Sequence, residues 1–190
     1  MNLPNKLTLS RFALTVAFLA VIFSQMRYHQ TLALLLFVAA SLTDYYDGKI
    51  ARRDGLITNF GVLMDPLADK ILVCSAFIAF VDRDWMPAWM AVIIVARELA
   101  ITGLRLLAAS KQVVLAAEGY GKHKTISQIV AIISILMLQS YPEWGGWAKT
   151  IFDWWVPPFT VVSKWVAVVL TFTSGLLYLW NNRRLYLDDL

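Results

Sequence analysis

Charged residues are scarce in this sequence of 190 residues, because Asp, Glu, Lys and Arg together account for 16% of the positions. Hydrophobic residues account for 59%, and the mean hydropathy is +0.61. An ordinary soluble domain contains about 25% charged residues. The composition therefore argues against a soluble fold and predicts a polytopic membrane protein, with the lipid bilayer as its surroundings.

Cysteine and histidine are also scarce, with one cysteine and two histidines. The single cysteine, Cys74, excludes an internal disulfide, and without a cluster of Cys and His a zinc site is not expected. The net charge of +4 does not indicate nucleic-acid binding, because no soluble basic domain exists to carry it. The chain also lacks repeats and low-complexity tracts, so we expect a single domain over residues 1–190.

Long apolar runs, in contrast, are abundant. A membrane span needs about 20 apolar residues and is helical, because lipid offers the backbone no hydrogen-bond partners. No A-x-A-like cleavage site follows the first run, so we keep it as a span. The predicted fold is all-α, a polytopic membrane protein with six transmembrane helices, a short N-terminal interfacial segment at residues 1–7 and an interfacial loop at residues 141–157. The six spans lie at about residues 8–25, 31–53, 59–81, 87–109, 122–140 and 158–181.

The distribution of basic residues predicts the orientation of these spans. Basic residues concentrate on the cytoplasmic side of membrane proteins. Of the 17 Lys and Arg residues, four fall on one side: Arg27, Arg83, Lys149 and Lys164. The other side receives the rest and both termini, so we expect a plasma (cytoplasmic) membrane protein with both termini and the site at residues 44–69 in the cytoplasm. The residues of that richer side are Lys6, Arg11, Lys49, Arg52, Arg53, Lys70, Arg97, Arg105, Lys111, Lys122, Lys124, Arg183 and Arg184.

Four regularly spaced carboxylates stand out in the second and third spans: Asp44, Asp47, Asp65 and Asp69. On helices, residues three or four apart share a face. If the two pairs face each other, their charges repel at low dielectric unless cations lie between them. Oxygen ligands in this number suit Mg²⁺, Mn²⁺ or Ca²⁺, so the acids are interpreted as a divalent-metal site.

Small residues and an arginine flank the acids. Gly48 and Gly61 leave room for a ligand near the backbone, although small residues also permit close helix packing. Arg52 has a planar guanidinium that matches phosphate oxygens, and it would serve equally as a cytoplasmic anchor. Metals, an arginine and small residues together suggest a diphosphate ligand.

The spacing Asp-x2-Asp-Gly-x2-Ala-Arg-x8-Gly-x3-Asp-x3-Asp over residues 44–69 resembles the signature of the CDP-alcohol phosphotransferase family at every defined position. Residues 2–11 also resemble the N-terminal segment of its phosphatidyl-transferring members. The resemblance implies two divalent cations, Mg²⁺ or Mn²⁺, held by Asp44, Asp47, Asp65 and Asp69. It also implies that Asp69 is the general base, and that Gly48, Arg52 and Gly61 hold the CDP moiety.

Residues 96–105 and 121–125 look like those of the phosphatidylglycerophosphate synthases within this family. The resemblance implies transfer of the phosphatidyl group of CDP-diacylglycerol to sn-glycerol 3-phosphate, giving phosphatidylglycerophosphate and CMP. Arg97, Arg105, Lys122 and Lys124 would bind the anionic acceptor, with Glu98 orienting a neighbouring cation. We also expect a homodimer.

Other interpretations stay open at this point. The cations near residues 97–124 could be cytoplasmic anchors whose side chains extend to the membrane surface. Another acceptor, such as inositol phosphate, serine or phosphatidylglycerol, would fit the same family. A divalent-cation transporter would also place acids in spans, but it would need polar groups along the whole crossing, and residues 32–40 and 71–80 are almost wholly apolar.

Overall fold

The computed structural model describes residues 3–54, 59–111 and 120–187, and it describes side chains for residues 9–43, 70–111, 123–183, 185 and 186. These residues form helices joined by turns, with no β-strand among them, which confirms the all-α class. The helices are α1 (Leu3–Ile22), α2 (His29–Asp54), α3 (Asn59–Asp82), α4 (Ala88–Ser110), α5 (Tyr120–Ser140), α6 (Gly146–Phe152), α7 (Val156–Asn181) and α8 (Arg184–Leu187), with a 3₁₀ helix (Tyr141–Trp144) before α6.

Six of these helices, α1 to α5 and α7, overlap the six segments predicted as spans, and the crossing of a membrane by all six stays a prediction. The segment predicted at the membrane interface, residues 1–7, belongs to α1 from Leu3 onward, because a proline such as Pro4 is tolerated in the first turn of a helix. Its place at the interface stays a prediction. One prediction needs correction. The predicted loop at residues 141–157 contains the 3₁₀ helix and α6, which are tied together by a 2.7 Å hydrogen bond from the Tyr141 hydroxyl to Asp153.

Two stretches of the described chain, His123–Trp144 and Val156–Asn181, are long and apolar enough to cross a membrane. Two further apolar stretches, Leu9–Ile22 and His29–Thr43, are shorter. The fourth long helix, α4, carries Arg97, Glu98 and Arg105 along its length. Charged groups inside a span tend to face the interior of the bundle or pair with one another, and the contacts of α4 described below follow that rule.

The six long helices pack into a ring in the order α1, α2, α5, α7, α4, α3, and α3 returns to α1. Neighbours along the chain run in opposite directions. At one end of the bundle, the far end, Glu143 after α5 accepts a 2.9 Å hydrogen bond from the amide of Thr31 at the start of α2, and Arg83 after α3 donates to the Ile22 carbonyl at the end of α1. The opposite end, the motif end, therefore holds the last turns of α2 and α4 and the first turns of α3 and α5.

Apolar side chains lie both inside and outside this bundle. Phe18 and Phe37, with ring centroids 5.9 Å apart, are fully buried in the core between α1 and α2. On the outer surface, large apolar side chains are widely exposed, including Val16 at 67%, Leu99 at 68% and Trp154 at 77%. Water-soluble proteins rarely expose contiguous apolar surface on this scale. An exterior of this kind suits lipid.

Candidate functional site

The segments that carry the predicted metal site are helical, as the sequence predicted. Asp44, Asp47, Gly48 and Arg52 belong to the second half of α2, and Gly61, Asp65 and Asp69 belong to the first half of α3. Their side chains lie outside the described residues. Whether the four carboxylates meet therefore stays a prediction, as does the place of Lys122 at the start of α5.

Glu98, in the middle of α4, forms a buried cluster with two of the predicted cations. Lys124 in α5 donates a hydrogen bond from Nζ to Glu98 Oε1, and Arg97 Nη1 lies 3.5 Å from the same oxygen. The side chains of Glu98 and Lys124 are each 6% exposed. Buried charges are stable in proteins when they are paired. Glu98 thus pairs with two cations, as expected of a residue that orients a neighbouring cation, and we call Arg97, Glu98 and Lys124 the Glu98 cluster.

A further lysine connects α3 to this cluster. Lys70, the residue after Asp69, donates from Nζ to the hydroxyl of Thr102 in α4. The Thr102 hydroxyl in turn donates a 2.7 Å hydrogen bond to the backbone carbonyl of Glu98. This chain of contacts fixes the first half of α3, which carries the motif acids, beside the part of α4 that carries the cations.

Arg105 lies two turns after the Glu98 cluster on α4 and reaches α7. Its guanidinium carbon is 5.7 Å from the centroid of the Tyr178 ring, and Nε donates a 3.4 Å hydrogen bond to the Tyr178 hydroxyl. Tyr178 is buried, whereas Arg105 is exposed. Arg97 also contacts α7, at Gly175, one turn before Tyr178. Both predicted arginines of α4 therefore face α7.

The structure thus brings Arg97 and Lys124 together on one carboxylate and places Arg105 nearby on the same helix. Two further cations lie on the same part of the bundle, with Lys70 at Thr102 and Arg105 at Tyr178. Guanidinium and ammonium groups held in this way suit an anionic ligand such as a phosphate. Among the described residues no group of three or more His, Cys, Asp or Glu could hold a metal ion.

Sequence reasoning did not identify Lys70, Thr102 or Tyr178 as parts of this site. Lys70 directly follows Asp69, and Thr102 lies four residues after Glu98, so their spacing was a usable signal. Tyr178 lies in an apolar helix 73 residues from Arg105, and no local pattern connects the two.

Comparison with known proteins identifies the family of this chain. Residues 1–173 match the family model described as CDP-alcohol phosphatidyltransferase. The chain is 40% identical to the CDP-diacylglycerol–glycerol-3-phosphate 3-phosphatidyltransferase of Bacillus subtilis (strain 168), over 95% of each protein. Relatives with the same name are 34% identical in Shigella flexneri serotype 5b, over 99% of this chain and 98% of the relative, and 33% identical in Rickettsia typhi, over 93% and 94%.

The match covers the motif helices and the Glu98 cluster, and the apolar exterior of the bundle agrees with a family of membrane proteins. The chain is a helical membrane protein, and it belongs to the CDP-alcohol phosphatidyltransferase family.

Proposed function

We propose that this protein transfers the phosphatidyl group of CDP-diacylglycerol to sn-glycerol 3-phosphate, giving phosphatidylglycerophosphate and CMP. The observation that carries the proposal is the Glu98 cluster, in which Arg97 and Lys124 are held at the same carboxylate on a helix linked to α3 through Lys70. Cations fixed in this way suit an acceptor that is itself a phosphate ester. The relatives match nearly the whole chain, and their names state the same acceptor.

The donor side of the reaction rests on the motif helices. Carboxylates are the hard oxygen ligands that Mg²⁺ and Mn²⁺ prefer. Asp44, Asp47, Asp65 and Asp69 would hold two such ions, which, when bound, would neutralise negative charge on the diphosphate of CDP-diacylglycerol. Gly48, Arg52 and Gly61 would hold the CDP moiety, with Arg52 as a partner for phosphate oxygens.

The chemical step needs a base for the acceptor hydroxyl, and Asp69 is proposed for that role. The hydroxyl oxygen of glycerol 3-phosphate bonds to the β-phosphorus of CDP-diacylglycerol, and the bond from that phosphorus to the bridging oxygen breaks. CMP leaves, and Asp69 accepts the hydroxyl proton. Arg97, Arg105, Lys122 and Lys124 hold the phosphate of the acceptor in reach of this centre.

The alternative acceptors differ in charge. Inositol phosphate is anionic and would suit the same cations, so the Glu98 cluster alone does not separate it from glycerol 3-phosphate. A cation transporter finds no support in the described residues, because the far halves of α2 and α3 bury apolar side chains such as Ala33, Phe37, Phe77 and Phe80.

A single assay tests the proposal. The purified protein is mixed with CDP-diacylglycerol and, in turn, glycerol 3-phosphate, inositol phosphate, serine or phosphatidylglycerol, and CMP release is followed. We expect release with glycerol 3-phosphate, loss of it after treatment with EDTA, and recovery with Mg²⁺ or Mn²⁺. Release with another acceptor alone would contradict the proposed substrate, and undiminished release in EDTA would contradict the two-metal site.

We also propose that the motif end faces the cytoplasm of the plasma membrane. The alternating helices support this topology, because they place both ends of the described chain at the motif end, where most of the basic residues lie. Cysteines introduced at Lys111 and at Lys149, in a Cys74→Ser background, would be labelled by an impermeant thiol reagent from opposite sides of sealed vesicles. Labelling of Lys111→Cys from outside intact cells would overturn the orientation.

The homodimer stays a prediction, to be checked by light scattering in detergent.

A further inference from the structure

Gly175 in α7 lies directly against the side chain of Arg97 in α4. A methyl group built at Gly175 would lie 2.7 Å from Cγ of Arg97, 3.7 Å from its Cβ and 3.8 Å from its Nε. Carbon atoms do not approach each other to 2.7 Å without displacement, because their optimal separation is about 3.5–4.0 Å. Cγ belongs to the root of the arginine side chain, so relief would require a different rotamer or a shift of α4 against α7.

The guanidinium group of Arg97 is held by a second contact, with Glu98. Arg97 Nη1 lies 3.5 Å from Glu98 Oε1, and Glu98 is fixed by Lys124. The stem of the Arg97 side chain therefore lies against the bare backbone at Gly175, and its guanidinium lies at the Glu98 carboxylate. Arg97 also lines a groove of about 290 Å³ between α4 and α7, together with Gly175. The position of the Arg97 side chain therefore depends on both Gly175 and Glu98.

One donor of this arginine indicates why it is held there. Arg97 Nε is buried and forms no hydrogen bond with the described residues. The great majority of buried polar groups in proteins have a hydrogen-bond partner, and each exception calls for an explanation. The unpaired Nε–H of Arg97 is therefore a donor that an anionic oxygen of the acceptor could satisfy.

We infer that Gly175 is a positioning residue that fixes the guanidinium of Arg97 for the anionic acceptor. The inference rests on the proposed function, and it extends the site to a residue of α7 that lies beyond the matched residues 1–173. Gly175 acts by having no side chain, because any Cβ would displace Arg97 from the Glu98 carboxylate. It touches neither the acceptor nor the donor.

The substitution Gly175→Ala tests the inference in the full-length protein. We expect the KM for glycerol 3-phosphate to rise roughly tenfold to 100-fold, because displacement of a binding group by about 1 Å has effects of this order. The KM for CDP-diacylglycerol should stay within about twofold, since Arg97 is assigned to the acceptor. Gly103→Ala is the matched control: it adds the same methyl group inside α4, where nothing lies within 4 Å, and should change neither constant.

A double-mutant cycle separates positioning from simple packing. In an Arg97→Ala background the methyl group at position 175 has no arginine to displace, so Gly175→Ala should add no further increase in KM. If Gly175→Ala alone does not fold, the double variant should recover folding, measured as the thermal midpoint in detergent. An unchanged KM in Gly175→Ala, or an equal increase in both backgrounds, would overturn the inference. If the wild-type protein uses a different anionic acceptor, the proposed function fails, and the same cycle run with that acceptor still decides the role of Gly175.

Discussion

Lys124 donates a hydrogen bond from its ammonium group to the carboxylate of Glu98, which joins the start of α5 to the middle of α4. Both side chains are almost completely buried, and Arg97 shares the same carboxylate. A buried ion pair contributes little relative to apolar packing, but removal of one partner leaves the other charge buried and uncompensated. The pair therefore couples the stability of the bundle to the shape of its cationic site.

The substitution Glu98→Gln is expected to destabilise the protein by about 3–5 kcal/mol, the range for breaking a buried pair. It should also raise the KM for glycerol 3-phosphate, because Arg97 and Lys124 lose the carboxylate that orients them. Thermal unfolding in detergent and steady-state CMP release measure the two effects. The double variant Glu98→Gln/Lys124→Met removes the buried Lys124 charge as well and should recover part of the stability, since only Arg97 then lacks its carboxylate, without recovering the KM. A Glu98→Gln protein as stable as the parent would contradict this account.

Arg105 and Tyr178 allow a finer test of the cationic site. Arg105→Ala should mainly raise the apparent KM for glycerol 3-phosphate. Tyr178→Phe keeps the ring under the guanidinium and removes only the hydroxyl that accepts from Nε. Because one hydrogen bond contributes about 0.5–1.5 kcal/mol, Tyr178→Phe should raise the KM for glycerol 3-phosphate by about twofold to tenfold. An Arg105→Ala variant with the parent's KM would remove Arg105 from the site.

Asp69→Asn should lower kcat by at least about 100-fold, because a positioned base contributes about 10² to 10⁴ and the same carboxylate is assigned to a metal. The variant should still be extracted as a folded protein. Asp82→Asn is the control, since Asp82 is an exposed residue of the same helix at the far end of the bundle. Substantial CMP release by Asp69→Asn would exclude the base role.

Substitution of Glu143 is expected to change the stability of the protein and not its activity. Its carboxylate accepts hydrogen bonds from the amides of Gln30 and Thr31, 3.1 and 2.9 Å, and from the Thr31 hydroxyl, so it caps the start of α2 from a distant part of the chain. Loss of a helix cap costs about 0.5–2 kcal/mol. Glu143→Ala should lower the thermal midpoint accordingly, whereas Thr150→Ala, at an exposed position of α6, should not. At temperatures well below the midpoint kcat should be unchanged, since Glu143 lies at the far end; a large fall in kcat would contradict the assignment.

The long helices were predictable because their signals are local. Apolar runs of about 20 residues and the helix-ending sequence at Asp54 depend on neighbours along the chain, and the observed helices begin and end close to the predicted residues. The segment at residues 141–157 was misread as a loop, because its helical turns depend on tertiary contacts such as the one between Tyr141 and Asp153. The sequence does not show that the N-terminal segment and the first span form one helix, which the structure does from Leu3 to Ile22.

The sequence by itself determined the family and predicts the chemistry of the site, since both depend on residue types at fixed spacing: four acids, two glycines and an arginine over residues 44–69, and cations at residues 97–124. Only the tertiary structure decided which groups meet. Lys124 is paired with Glu98 across 26 residues and Arg105 with Tyr178 across 73, and Gly175 leaves space for Arg97. These contacts depend on the order in which the helices pack around the ring, and helix periodicity and hydropathy, which are local properties, do not encode that order.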